Sequence, residues 1–172
     1  MNHALRILFT EQEIQLRVAA VAREIAALSA RPEILVPVLS GAFVFAADLC
    51  RALTDEGLDL PIEFLWLRSY GAKRQADEIL VRAEPGEAVR GKHVLLIDGI
   101  LDRGHTLTAA RELLRKVGVT AVTTAVVVDK LRTDASIAAD FACFAKVDGF
   151  IAGYGMDDAG RARGLSHIAR VE

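Results

Sequence analysis

The residues best placed to do chemistry in this chain lie between His93 and Leu107, HVLLIDGILDRGHTL. An apolar β-branched run, Val94 to Ile97, suits a strand buried on both faces. Asp98 is expected to end it. Leu107, Ala110, Leu114 and Val117 then recur at helical spacing and Gly118 follows as a stop, so a helix starts between Gly104 and Thr106. Between the two lies a short acidic turn. A helix start leaves backbone N–H groups without internal partners and carries positive dipole, so the loop from Asp102 to Thr106 can wrap a phosphate monoester. Gly104 allows close backbone approach, and Thr106 and Thr108 can add hydroxyl donors. Taken alone, Asp98 and Asp102 would read as a turn and a cap. Next to a phosphate cradle they read as sugar and acid/base ligands.

The elements that must hold this turn alternate between strand and helix, which predicts an α/β fold. Thr10 and Glu13 form a capping box, and Ile14, Val18, Val21, Ile25 and Leu28 mark one face of a helix ending before Arg31-Pro32. Ile34 to Leu39 reads as a strand, against which Pro37 stands as an objection because proline removes a ladder donor. Ala42 to Leu53 reads as the next helix. Ile62 to Leu67 and Glu78 to Arg82 are strand-like, joined by a polar connection too long for a tight turn and able to close over a ligand. His93 to Asp98 and Val122 to Val128 supply two more strands, with the Gly104 to Val117 helix as their crossover. Thr133 to Phe141 is expected to be a surface connection with a short helical piece.

The acidic turn resembles the phosphoribosyl pyrophosphate motif of type I phosphoribosyltransferases across Asp98, Gly99, Ile100, Leu101, Asp102, Arg103, Gly104, His105 and Thr106. Further segments, in order from about Val36 to the C-terminus, resemble the hypoxanthine or hypoxanthine-guanine branch of that family. Leu39-Ser40-Gly41 is similar to its pyrophosphate loop and Arg68-Ser69-Tyr70-Gly71 to its mobile Ser-Tyr lid. Val128-Asp129-Lys130 is similar to the strand end whose lysine meets the purine. Phe150 to Asp157 is similar to its base-stacking and metal segment, and Arg163 stands where the family has a pyrophosphate-contacting arginine.

The resemblance implies a mainly parallel central sheet flanked by helices, a small hood built from the terminal segments and a mobile lid loop. It implies transfer of phosphoribosyl from 5-phosphoribosyl 1-pyrophosphate to hypoxanthine or guanine, forming IMP or GMP and pyrophosphate. Asp102 would be the acid/base group for the purine N7 proton, its charge also offsetting positive charge that develops on the ribose. Asp98, Gly99, Leu101, Arg103, Gly104, His105 and Thr106 would bind the phosphoribosyl group, and Ser40, Gly41 and Arg163 the pyrophosphate. Ser69 and Tyr70 would form the lid. Lys130, Phe150 and Ile151 would take the purine, Lys130 donating to O6 and so selecting 6-oxopurines. Mg²⁺ is the implied cofactor, with Asp157 and Asp98 as its carboxylates.

Three positions depart from the family pattern, one of them Arg103, which stands where the family usually has Thr, Ser or another loop residue. Gly99 stands in place of a second acidic residue, and a lost ribose hydrogen bond there should cost about 1 to 3 kcal/mol, weakening activity without abolishing it. Ser40 stands where many relatives carry a cation and can act through its backbone.

Composition narrows the alternatives. The chain has 172 residues, 52% hydrophobic, which is expected to make one domain with a substantial core. Mean hydropathy is +0.30, yet the longest weakly polar runs fall short of the ~20 residues a membrane span requires. The N-terminal residues do not read as a secretory signal. Cys50 and Cys143 in apolar surroundings read as reduced thiols, so a cytoplasmic setting is expected. A net charge of −2 gives no basic field for nucleic acid. No CxxC, HExxH or Walker pattern occurs. The resemblance implies as partners the two small substrates and further copies of the chain, as a homodimer or homotetramer, with no nucleic acid and no membrane. Two rivals remain: a weakly active or inactive regulatory protein on the same fold, like the pyrimidine attenuation regulators, and a receiver-type phosphoacceptor, whose acidic strand would normally open the domain.

Overall fold

The computed structural model describes residues 4–69 and 79–172, without the side chain of Ser69. In chain order the elements are β1 (Leu5–Phe9), α1 (Glu11–Ala26), β2 (Ile34–Leu39), α2 (Phe43–Asp55), β3 (Leu65–Ser69), β4 (Ile79–Ala83), β5 (His93–Leu101), α3 (His105–Val117), β6 (Ala121–Asp129), β7 (Phe141–Ala145), β8 (Ile151–Ala152) and β9 (Ile168–Val171). Six strands form one sheet in the order β4-β3-β2-β5-β6-β7, parallel except for the antiparallel β3–β4 edge pair. A separate antiparallel sheet, β1-β9-β8, joins the two ends of the chain as the expected hood.

At the centre of the large sheet both faces are buried, which is why β2 and β5 are nearly continuous apolar runs. Leu95 and Ile97 of β5 pack with Leu35 of β2 against Ile14, Val18, Phe45 and Leu49 of α1 and α2. Val94 and Leu96 point the other way, with Val36, onto Leu107, Ala110 and Leu114 of α3. The helical stripes read from the sequence are the faces that meet these layers. The capping box holds: Thr10 Oγ1 accepts from the Glu13 N–H and Glu13 Oε2 accepts from the Thr10 N–H at 2.8 Å. Gly118, at φ 95°, ends α3 as expected.

Pro37 lies inside a central strand without breaking it. The ladder from β2 to the segment before β3 runs through a bridge at Leu35 and Ile62, then resumes at Val38 and Leu65. Pro37 falls in the gap, where its missing N–H forfeits nothing, while its other side stays in register with Ile97. The same gap delays β3, which begins at Leu65 rather than Ile62.

Two expectations are corrected. Asp98 does not end its strand: β5 runs on to Leu101, because β6 keeps offering partners through Val126, Val128 and Asp129. The stretch from Thr133 to Phe141 contains turns and no helix, and β7 begins at Phe141. Arg17 of α1 secures β7 by donating to the carbonyls of Cys143 and Ala142.

Among the described residues no helix is long and apolar enough to cross a membrane. Leu96 is fully buried between β5 and α3, so Leu96→Ala should lower unfolding free energy by about 2 to 5 kcal/mol in urea titration.

Candidate functional site

A cleft of about 830 Å³ opens beyond the carboxyl ends of β2, β5 and β6, the position that ligands occupy in open parallel sheets. A recess of about 430 Å³, lined by the loop from Asp102 to Leu107, adjoins it and shares Asp98, Ile100, Asp102 and Thr106. The loop's shape depends on Gly104. It has φ 87°, and a Cβ there would lie 2.6 Å from Ile137 Cγ2. Ser136 reaches back to this loop, its N–H and Oγ both donating to the Arg103 carbonyl. Thr108, read as a phosphate donor, instead exchanges a hydrogen bond with Ser136 Oγ at 2.9 Å. Thr106 keeps its place in the recess.

Asp98 lines the cleft from within the strand and is 9% exposed. Burial pushes its carboxyl up to about 7, partly offset by the Gly99 N–H, which donates to Oδ1 at 2.7 Å. Asp102 sits between two cations. Lys130 Nζ donates to Oδ2 at 3.1 Å, and Arg132 Nε lies 3.2 Å from Oδ1, at ion-pair distance but out of hydrogen-bond alignment. Arg132 also forks onto Asp134, at 2.8 and 3.2 Å. Arg103 turns toward the same Asp134, 3.9 Å away.

Ser40 and Gly41 form the turn between β2 and α2. The Gly41 carbonyl is wedged between two other glycines: a Cβ on Gly99 would come within 3.0 Å of that oxygen, and one on Gly155 within 2.6 Å. Gly99 therefore does more than omit a carboxylate. A side chain at this position would also press on Met156 Cγ at 3.3 Å, so the turn or Met156 would have to give by a few tenths of an ångström.

The other expected site residues are distributed as follows. Lys130, Phe150, Ile151, Asp157 and Arg163 all line the cleft, Phe150 with 55% exposure and Ile151 buried at the start of β8. Asp157 is already engaged: Arg163 Nη2 is 2.7 Å from Oδ1, and the Gly160 N–H donates to Oδ2 at 2.8 Å. Arg163 Nη1 donates to the Gly155 carbonyl. Leu101 is buried beneath α3, leaving its backbone to the recess. Arg103 and His105 line the recess and not the larger cleft. Ser69 ends β3 and Tyr70 lies outside the described residues, as does the loop after it. Among the described residues no three His, Cys, Asp or Glu side chains gather as a metal site.

Sequence reading missed Trp66, Arg82 and Arg132 as site residues. Arg132 follows Lys130 by two positions in the loop leaving β6, a signal visible only once Asp102 is known to face that loop.

Residues 7–159 match the family model described as the phosphoribosyl transferase domain, and the chain belongs to this family. It is 32% identical over 176 residues to hypoxanthine phosphoribosyltransferase of Escherichia coli K12, covering 99% of this chain and 97% of the relative. It is 34% identical over 172 residues to hypoxanthine-guanine phosphoribosyltransferase of Aquifex aeolicus, covering 98% and 95%. Among solved structures it resembles Trypanosoma cruzi hypoxanthine phosphoribosyltransferase in complex with the product IMP, with a TM-score of 0.86, 30% identity and coverage of 99% and 95%. A mutant of that enzyme in a ternary substrates complex matches with the same TM-score, at 31% identity over 99% and 96% of the two chains.

Two outcomes follow from this geometry. Gly99→Asp, which would restore the family's acidic residue, should destabilise the fold by about 1 to 3 kcal/mol through overpacking against Gly41, read as a lowered urea midpoint. The second concerns pH. The folded state holds the Asp98 proton more tightly than the unfolded chain does, since its carboxyl is raised from 3.8 to about 7. This contribution stabilises the fold at low pH and is lost as pH rises through about 7. Asp98→Asn should therefore flatten the fall in unfolding free energy between these pH values.

Proposed function

We infer that the chain is a purine salvage transferase. It forms IMP or GMP and pyrophosphate from hypoxanthine or guanine and 5-phosphoribosyl 1-pyrophosphate. The observation that carries this reading is the convergence, in one cleft, of an acid/base carboxylate (Asp102), a cation in contact with it (Lys130), a half-exposed aromatic (Phe150) and a helix-start phosphate loop.

The 5′-phosphate is assigned to the recess, where the N–H groups opening α3 and the Thr106 hydroxyl supply donors. Phe150 stacks on the purine, Ile151 offers its backbone to the purine edge, and Lys130 meets O6. An ammonium carries three donors, so Lys130 can hold Asp102 and the purine oxygen together, which orients the base against the proton acceptor. Adenine presents a donor where Lys130 needs an acceptor and is rejected. As the nucleophilic purine nitrogen takes the anomeric carbon and pyrophosphate leaves, Asp102 receives the N7 proton and its charge faces the electron-poor ribose. Asp98 binds ribose hydroxyls, and Ser40, Gly41 and Arg163 meet the pyrophosphate.

The donor set fits magnesium, which takes few protein carboxylates and fills its shell with phosphate oxygens and water. Asp98 and Asp157 are the candidates, and Asp98 has one oxygen engaged by the Gly99 N–H. When bound, the ion would neutralise charge on the leaving pyrophosphate. A metal at Asp98 would favour its ionised form and release a proton on binding. The same reading includes a single domain, a homodimer or homotetramer, and a cytoplasmic setting in which the free thiols Cys50 and Cys143 stay reduced.

The test is pyrophosphate release from phosphoribosyl pyrophosphate and Mg²⁺ with hypoxanthine, guanine, xanthine and adenine in turn. Release with 6-oxopurines and not with adenine is expected; release with none would overturn the reading in favour of a regulatory protein on this fold. Asp102→Asn should lower kcat by about 10²-fold or more while leaving thermal unfolding cooperative.

A further inference from the structure

The cleft is lined by four cationic side chains, Arg68, Arg82, Lys130 and Arg163. Two are already committed to carboxylates, Lys130 to Asp102 and Arg163 to Asp157. Among the described residues neither Arg68 nor Arg82 forms an ion pair. Arg82 differs from Arg68 in being held in position. Its guanidinium carbon lies 5.4 Å from the centroid of the Trp66 ring, which is 42% exposed.

The backbone delivers Arg82 to that ring through an irregularity in the β3–β4 pairing. Trp66 pairs with Ala83 and Leu67 with Val81, so Arg82 is the extra residue of a β-bulge. Leu67 turns into the core beside Val81, while Trp66 faces the cleft. In regular pairing the residue after Val81 would oppose Trp66 directly; the bulge instead lets Arg82 lie over the indole face. Trp66 in turn pairs with Leu39, the residue before Ser40. The stacked pair therefore stands beside the Ser40–Gly41 turn, which contributes no charge of its own.

We propose that Arg82, held over the Trp66 ring, is a pyrophosphate-contacting residue of this enzyme. The proposal rests on the transferase reading above. A cation–π contact leaves the guanidinium N–H groups free to donate, and their planar edge matches two phosphate oxygens at once. Trp66 is the positioning residue: its contact with Arg82 reduces the rotamer freedom lost on binding.

The experiment is titration of Mg²⁺-pyrophosphate into the full chain by calorimetry, together with KM for each substrate. Arg82→Ala should weaken pyrophosphate binding and raise KM for phosphoribosyl pyrophosphate about ten- to hundredfold, leaving KM for hypoxanthine unchanged. Arg82→Lys should recover part of the loss by keeping the charge. Trp66→Leu should cause a smaller loss in the same direction. Ser40→Lys in the Arg82→Ala background should restore pyrophosphate affinity, which a purely structural role for Arg82 would not allow. Unchanged pyrophosphate affinity in Arg82→Ala, in a chain whose wild type turns over, overturns this assignment and leaves the reaction standing. Equal loss for both substrates also overturns it, by reducing Arg82 to a structural part. Absence of wild-type turnover overturns the reaction instead, and the pyrophosphate titration still reads Arg82 directly.

Discussion

The site depends above all on the parallel pairing of β5 with β6. Each strand is nine residues long, and their register keeps Leu101 beside Asp129 and lets the Lys130 N–H donate to the Leu101 carbonyl. Asp102 and Lys130 are thus the first residues beyond a shared ladder end. Their side chains meet because their backbones leave the sheet together. A one-residue slip would turn every side chain of β5 to the opposite face, setting Leu95 and Ile97 against α3 and Val94 and Leu96 against α1 and α2, in layers shaped for other side chains. Close packing on both faces opposes that slip, so the hydrophobic core holds the two polar groups in register.

From that junction a chain of alternating charge runs along the rim of the recess: Lys130, Asp102, Arg132, Asp134 and Arg103. Most of these groups are well exposed, so each pair alone contributes little to stability. Their effect is orientation. With the Ser136 contacts to Arg103, they tie the loop after β6 to the loop after β5 and to Asp102.

Much of this was legible in local pattern. The strand into Asp98, the helix from His105 to Val117, its glycine stop and the Thr10–Glu13 capping box are all set by neighbours within one or two turns, and period and capping rules find them. The family-like segments around Ser40, Lys130 and Phe150 likewise converge on one cleft. What sequence could not show depends on partners far along the chain. β5 continues past Asp98 only because β6 accompanies it, and Pro37 is tolerated only because its donor faces a gap in the ladder. β1 pairs with β9 across nearly the full length of the chain. Arg82 reads as a surface residue on an edge strand until the bulge lays it on Trp66. Gly99 reads as a loss until Gly41 is seen beside it.

That last residue bears on how Asp98 works. In a site with two adjacent carboxylates, each would raise the proton affinity of the other. Here Gly99 offers Asp98 a backbone donor instead of a second negative charge, and the space a side chain would take is filled by the Gly41 carbonyl. Asp98 still sits near neutrality because burial outweighs that single hydrogen bond. A buried carboxyl is sensitive to nearby charge, and a cation beside it would favour its ionised form. The glycine thus exchanges a second charge for two things, room for the Gly41 carbonyl and a backbone donor to Asp98. Both follow from one missing side chain at the point where β5 passes the turn between β2 and α2.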